Sequence, residues 1–259
     1  MAESVPVSRA FDLRLKVLDW DAWAEGRAGK DAWRLWAQGP SASSADGPPR
    51  LAGKGPAAAA VPAMLRRRAG LSDRLALELA CGLVEKDARV PCVFASRHGQ
   101  IVRSVGLLED LARGVPLSPM DFSVSVHNAT AGLFSIARGD RSAATAMAGG
   151  RESMSAAMLE AQAMLLEGAG QVLVVYHDET PPRALDGFWD GEPSDWSLAL
   201  LLGRDQGRNL DMRLEDAPAL HVGADPLPQA YVLARLLARG SGQERWFNGR
   251  HLWIWEFPS

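Results

Sequence analysis

Two cysteines in 259 residues, Cys81 and Cys92, are too few for a disulfide framework, and no CxxC spacing marks a metal site. That scarcity excludes the small stapled secreted scaffolds and fits a reducing cytoplasm. Long apolar runs are missing too. No segment reaches the roughly 18 consecutive apolar residues of a spanning helix, and the first residues lack a basic region leading into an apolar stretch, so a soluble protein is expected. Neither sign of charge dominates: 28 basic and 31 acidic residues leave a net charge of −3, which gives no electrostatic reason to expect nucleic acid or a phospholipid surface as partner. No phosphate loop or dinucleotide fingerprint occurs. Gly149-Gly150-Arg151 is at most a weak anion nest, and no cofactor is expected.

What is present is core-forming material. The chain is 47% apolar, enough for one globular domain or two. Phe11 to Val17 alternates at the period of a strand, and Trp20, Trp23, Trp33 and Trp36 follow, read either as a helical insertion packing on the domain or as a stacking surface for a ligand. Residues 39–62 are rich in Gly, Pro, Ala and Ser and predict a mobile loop. Arg66-Arg67-Arg68 precedes a predicted helix from Ser72 to Lys86 with Ser72 as its cap. Val90 to Ala95 is a nearly unbroken apolar run, the mark of a strand covered on both faces. Further helices are expected over Arg103 to Arg113, Ser153 to Glu167 and Pro228 to Arg239, and strands over Ala143 to Ala148, Val172 to Tyr176, Trp196 to Leu202 and His251 to Phe257. Residues 205–222 look irregular. The methionines of the Ser153 helix serve as core filler or as the malleable wall of an apolar tunnel. Strands alternating with helices predict an α/β sheet with helices on both faces.

The central stretch is Ser118 to Ala137. Phe122, Val124 and Val126 alternate with Asp121, Ser123 and Ser125, which predicts a strand, and from Ala129 the apolar spacing becomes helical with Asn128 as cap. A strand turning into a helix at His127-Asn128 is a place where the free N–H groups of the helix start could serve a nucleophile or an anion.

Ala129-Thr130-Ala131-Gly132-Leu133-Phe134-Ser135-Ile136 resembles the Cys-Ala-Ser-Gly-Leu-x-Ala-Ile stretch of the β-ketoacyl synthases, thiolase-fold enzymes that condense acyl chains carried on acyl carrier protein. Ser118-Pro119, then Phe122 to Ala129 and Gly132, is similar to the β-ketoacyl synthase-like N-terminal-domain proteins known as chain length factors in aryl polyene (xanthomonadin-type) pathways. Arg66-Arg67-Arg68, Phe94 to Gly99 and Val172 to Asp178 fit the same pattern. The resemblance covers residues 10–204 and implies a single N-terminal-type thiolase half, a mixed layered sheet, with residues 205–259 as a C-terminal helix and strand extension. It places Ala129 at the position of the catalytic Cys and leaves no room for the second half, which supplies the family's His-His or His-Asn pair.

The resemblance implies a non-catalytic partner of a catalytic β-ketoacyl synthase, with Phe122, Val124, Val126, His127 and Asn128 at the shared interface. Arg66, Arg67 and Arg68 are either a solvated turn or a docking site for the acidic acyl carrier protein. A second reading is a stand-alone acyltransferase or hydrolase on carrier-bound thioesters, using His127 with Ser125 or Thr130. In the blander account His127 fixes the bend or bonds across an interface. The other histidines, His98, His177, His221 and His251, show no spacing of a triad or a zinc site.

Overall fold

The computed structural model describes residues 9–39, 55–188, 195–216 and 223–258. Most of the expected mobile loop, residues 40–54, and the segment 217–222 with His221 lie outside the described residues. In chain order the strands are β1 (Arg9–Ala24), β2 (Arg27–Ala28), β3 (Cys92–Ala95), β4 (Ala144–Met147), β5 (Gln171–Asp178), β6 (Trp196–Gly203), β7 (Arg208–Asp216), β8 (Gly242–Phe247) and β9 (His251–Phe257). The helices are α1 (Lys30–Gln38), α2 (Ala63–Arg66), α3 (Leu71–Leu83), α4 (Ile101–Ala112), α5 (Pro119–Ser123), α6 (Ala129–Arg138), α7 (Ser153–Leu166) and α8 (Gln229–Arg239).

One sheet runs through the molecule in the order β4-β3-β5-β6-β1-β7-β9-β8, with β2 attached to β1. β3 is parallel to β4 and β5, and every other pairing is antiparallel. β3 and the Val172 to Tyr176 run of β5 are apolar because both faces are covered. Val172, Val174 and Tyr176 point to the larger core with α1, α7 and α8, while Leu173 and Val175 point to the smaller one with α3 and α6. Helices on both faces of a mixed sheet is the architecture the sequence predicts.

Several local expectations are corrected. The strand predicted over Phe122 to Val126 is absent. Ser118 and Pro119 start the helix α5 instead, with the Ser118 hydroxyl accepting the Asp121 amide at 3.2 Å and proline at the first turn. A helix-start signal here outweighs three alternating apolar residues. Trp20 and Trp23 lie on β1, which continues to Ala24, and only Trp33 and Trp36 belong to a helix. There Arg27 lies 4.8 Å and 4.2 Å from their ring centres and donates to the Tyr231 hydroxyl at 2.9 Å, so these tryptophans face their own chain. Helix α3 begins after Gly70, one residue before Ser72, and Ser72 is buried within it. The region expected to be irregular contains β7, where Leu210, Met212 and Leu214 alternate with charged residues.

Residues 205–259 contribute more than the expected helix and strand. β7, β9 and β8 extend the sheet from β1, and α8 buries nine residues against it, among them Tyr231, Leu233 and Leu236. Trp246 and Trp255 are fully buried beneath that helix, and Trp253 stacks on Trp255 with ring centres 6.4 Å apart.

Candidate functional site

Residues 124–128 form an irregular turn into α6. Asn128 stands at the cap position as expected, but its side chain makes no capping bond. The His127 ring is held down: Nε2 lies 3.0 Å from the Ser96 carbonyl oxygen, and the ring packs on Gly99. A Cβ at residue 99 would stand 2.7 Å from the ring, and its φ of +57° is the left-handed region, so both space and backbone favour glycine there.

Ser125 and Thr130, the predicted partners of His127, bond elsewhere. The Ser125 hydroxyl donates to the Phe122 carbonyl at 2.9 Å. Thr130 is buried and donates to Asp73 at 2.6 Å. Asp73, itself fully buried, also accepts from Gln100 Nε2 at 2.8 Å and from the Gly70 amide at 2.9 Å. Arg103 approaches it at 3.7 Å. This carboxylate joins the starts of α3, α4 and α6, the arrangement a buried charge requires to be tolerated. The structure therefore does not bring the three candidate catalytic side chains into one relay.

A second polar cluster closes the ends of β3 and β5. Asp178 accepts from the Ser96 hydroxyl at 2.6 Å, from the Tyr176 hydroxyl at 2.5 Å and from the Arg97 and His98 amides. Burial, reinforced by Asp178, pushes the Tyr176 phenol well above its ordinary range. Ser72 and His177 lie 2.7 Å apart, a hydroxyl–imidazole pair missed in the sequence because 105 positions separate them. Both are fully buried, and burial pulls the imidazole below its usual range against the opposing effect of Asp178 and Asp73. A dyad without a route to solvent has no way to reach a substrate. Glu179 follows it: burial, and then the neighbouring Asp73, raise its carboxyl to about 7.

The strand-to-helix junction expected before α6 occurs at β4 to α7 instead. Here Ser153, buried at the start of α7, accepts from the Gly149 amide at 3.0 Å and donates to the Gly150 carbonyl at 2.7 Å. The C-terminal arm covers this junction. Trp253 Nε1 donates to Glu152 at 2.5 Å, Arg151 donates to the Asp225 carbonyl, and its guanidinium lies 5.3 Å from the Trp246 ring. Ala129 at one helix start, and the engaged side chains of Arg151, Glu152 and Ser153 at the other, offer no thiol. Cys81 lies on α3 and Cys92 on β3. Burial raises both thiols, Cys92 to about 12, which makes them poor nucleophiles.

Away from these networks the surface is unusually apolar over α4 and α5. Leu108 is 63% exposed, Leu111 61% and Phe122 65%, joined by Val102, Val115, Leu117, Met120 and Val126. Val124, between Phe122 and Val126 in the sequence, is buried. Arg103 links this surface to its surroundings, 3.9 Å from Asp121 of α5 and 3.0 Å from the Arg68 carbonyl. Arg67 and Arg68 are exposed and Arg66 is half-buried at the end of α2. Among the described residues no group of three His, Cys, Asp or Glu side chains could hold a metal, and no helix is long and apolar enough to cross a membrane.

The sequence matches the β-ketoacyl synthase N-terminal domain over residues 33–256, which extends past residue 204, where the resemblance was expected to end. No curated protein matches it. Among solved structures, it is similar to a chain in the complex of the ketosynthase ApeO with its chain length factor ApeC from Xenorhabdus doucetiae: 25% identity and a TM-score of 0.80 over 94% of this chain and 99% of that one. The ishigamide ketosynthase/chain length factor matches 88% of this chain and 73% of its own, with 17% identity and a TM-score of 0.60. The AntDE:AntF structure, a type II polyketide synthase acyl-carrier protein in complex with its ketosynthase bound to the hexaketide, matches 75% of this chain and 64% of its own, with 14% identity and a TM-score of 0.57. At those identities the last two speak for the fold alone.

Proposed function

Because the chain belongs to the β-ketoacyl synthase N-terminal-domain family and has its thiolase-like fold, we propose that it is a chain-length-factor-type partner of a catalytic β-ketoacyl synthase. In this reading it has no condensing activity of its own. It joins the ketosynthase in fatty-acid or polyketide-type elongation of the aryl polyene kind, and the acyl chain is delivered on acyl carrier protein.

The observation that carries this reading is the uncovered apolar surface of α4 and α5. Eight exposed apolar side chains lie between residues 102 and 126, five of them on α4 and α5, more than a monomer normally leaves in contact with water, and such patches mark interaction sites. Strand β4 adds an open edge, since only β3 pairs with it among the described residues. Open edges invite another strand. The ketosynthase docks over this surface, with Phe122 and Val126 in contact, the buried Val124 between them in the sequence, and His127 and Asn128 at the margin. An obligate interface of this kind buries about 2,000 Å² or more. Arg66, Arg67 and Arg68 receive the acidic carrier protein nearby, where salt weakens the contact.

Chemistry supports the division of labour. A condensing enzyme needs a thiolate to take the acyl group and a polar pair to stabilise the developing oxyanion. Here α6 starts with Ala129, and the bonds made by His127, Ser125 and Thr130 leave each committed elsewhere. The test is co-expression with a ketosynthase from the same gene neighbourhood, size-exclusion chromatography, and an elongation assay with each protein alone and both together. A stable complex that elongates while this chain alone does not is the expected result. Condensation by the isolated chain, or failure to form the complex at any ratio, overturns the reading.

A further inference from the structure

We infer that a cleft of about 360 Å³ between β1, α1 and the C-terminal arm is a binding site for an amphipathic organic anion, an acyl or aryl carboxylate or phosphate. The site is separate from the surface assigned to the ketosynthase and does not depend on that assignment. Its volume falls in the range of small-molecule sites. Its apolar floor includes Trp20, Leu237 and Phe257, side chains that the core otherwise buries. Its rim carries three arginines from three elements: Arg34 from α1, Arg208 from β7 and Arg239 from α8.

The charges around the cleft do not cancel. Among the described residues Arg34 pairs with Asp31, one helical turn away at 3.1 Å and 96% exposed, a pairing worth little in water. Arg239 bonds Glu244 at 2.7 Å, a carboxylate it shares with Arg235 at 2.7 Å. Arg208 lies 4.1 Å over the Phe257 ring and pairs with no carboxylate among the described residues. Asp19 on the cleft wall is matched by Lys30 at 2.7 Å. The cleft lining itself carries three cations, Arg34, Arg208 and Arg239, against the one carboxylate of Asp19, on a chain whose net charge is −3. The fork of an arginine is the side chain best shaped to hold a carboxylate or phosphate, and a ring-lined floor takes an apolar body.

Arg208 also has a structural place. Its Nη1 would lie 3.4 Å from a Cβ on Gly240, the residue that ends α8, so its charge faces the negative end of that helix. A purely structural Arg208 and a ligand-binding one are separated by experiment. Calorimetric titrations use octanoate, octyl phosphate, 1-octanol and inorganic phosphate as probes. Binding of octanoate or octyl phosphate, with 1-octanol and inorganic phosphate at least about tenfold weaker, is the expected pattern, since a charge-assisted contact carries about one such factor. The stronger of the two amphiphiles identifies the head group as carboxylate or phosphate. Arg208→Gln and Arg34→Gln should each weaken the bound probe about tenfold. Arg34 lies on the exposed side of α1, so its variant keeps the test open if Arg208→Gln loses its fold. Absence of binding by both amphiphiles, equal binding by 1-octanol, full binding by inorganic phosphate alone, or unchanged affinity in the folded variants overturns the assignment.

Discussion

Helix α8 and the pair α4–α5 are both helical segments rich in apolar side chains, yet they end in opposite situations. The apolar side of α8 is closed by its own chain, with Tyr231 on Trp33, Trp36 and Trp196 and with Leu233 and Leu236 in the buried core that includes Trp246 and Trp255. The apolar side of α4–α5 is left to solvent. Apolar area is stabilising only when removed from water, at roughly 25 cal/mol per Å². The first region therefore contributes to folding, and in the proposed complex the second would contribute to association. Substitutions in the two regions should consequently be read by different instruments: α8 by a melting curve, α4–α5 by a binding curve.

The largest effect belongs to the closed region. Trp255→Ala should destabilise the isolated protein by about 3–5 kcal/mol, the usual cost of emptying a packed aromatic site, seen as a lower denaturant midpoint. If Trp255→Ala left the midpoint unchanged, the contrast between the regions would fail at its stronger end. Next comes Glu179, at the ends of the strands between them. Its carboxyl sits near 7 when folded against an ordinary value of 4.5, so the native state holds the proton more tightly than the unfolded chain. Stability from this group is full below about pH 4.5 and falls as pH rises through about 7, by an amount on the order of 3 kcal/mol. Glu179→Gln should flatten the difference between denaturant melts at pH 5 and pH 8. An identical pH slope in both proteins would remove Glu179 from the account.

In the open region the expected losses appear in association. Phe122→Asp should leave the melting curve within about 0.5 kcal/mol of the parent. It should also weaken ketosynthase binding by about 2 kcal/mol or more, the threshold of an interface hot spot. Val124→Asp is a blunter probe because Val124 is buried, and it will lower folding stability as well as binding. The smallest effect is expected at the rim. Reversing charge at Arg67 and Arg68 should weaken carrier-protein binding by about 1 kcal/mol at low salt, with the difference vanishing as salt rises. Salt-independent binding by the charge-reversed variant would return the cluster to a solvated turn.

The sheet was legible where burial on both faces leaves a plain signature. Val172 to Tyr176 and Trp196 to Leu202 are apolar whichever way each side chain points, and both are strands. β7 was missed because the alternation of Leu210, Met212 and Leu214 is diluted by Arg208, Asp211, Arg213, Glu215 and Asp216. β8 offers only Trp246 and Phe247 as apolar residues and depends on β9 for its pairing. At the segment the resemblance singled out, the expected strand is the helix α5 and an irregular turn. The helix-start signal of Ser118-Pro119 and the strand-like alternation of Phe122, Val124 and Val126 compete over the same residues, and the capped helix start prevails. The clamps made by Asp73 and Asp178 could not be read at all, because Thr130, Gln100, Ser96 and their acceptors meet only after the sheet has assembled.

The place of β1 has a consequence for the order of events during synthesis. β1 is made well before β6 and β7, the strands it pairs with: Arg14 meets Asp211 across 197 positions of sequence. At about 5–20 residues per second, β1 waits roughly 10–40 s for its neighbours, with Leu15 and Val17 uncovered meanwhile. Closing so long a loop late is slow, and such a nascent chain is a natural client for chaperones. A truncated chain ending before β6 would strand its own N-terminus.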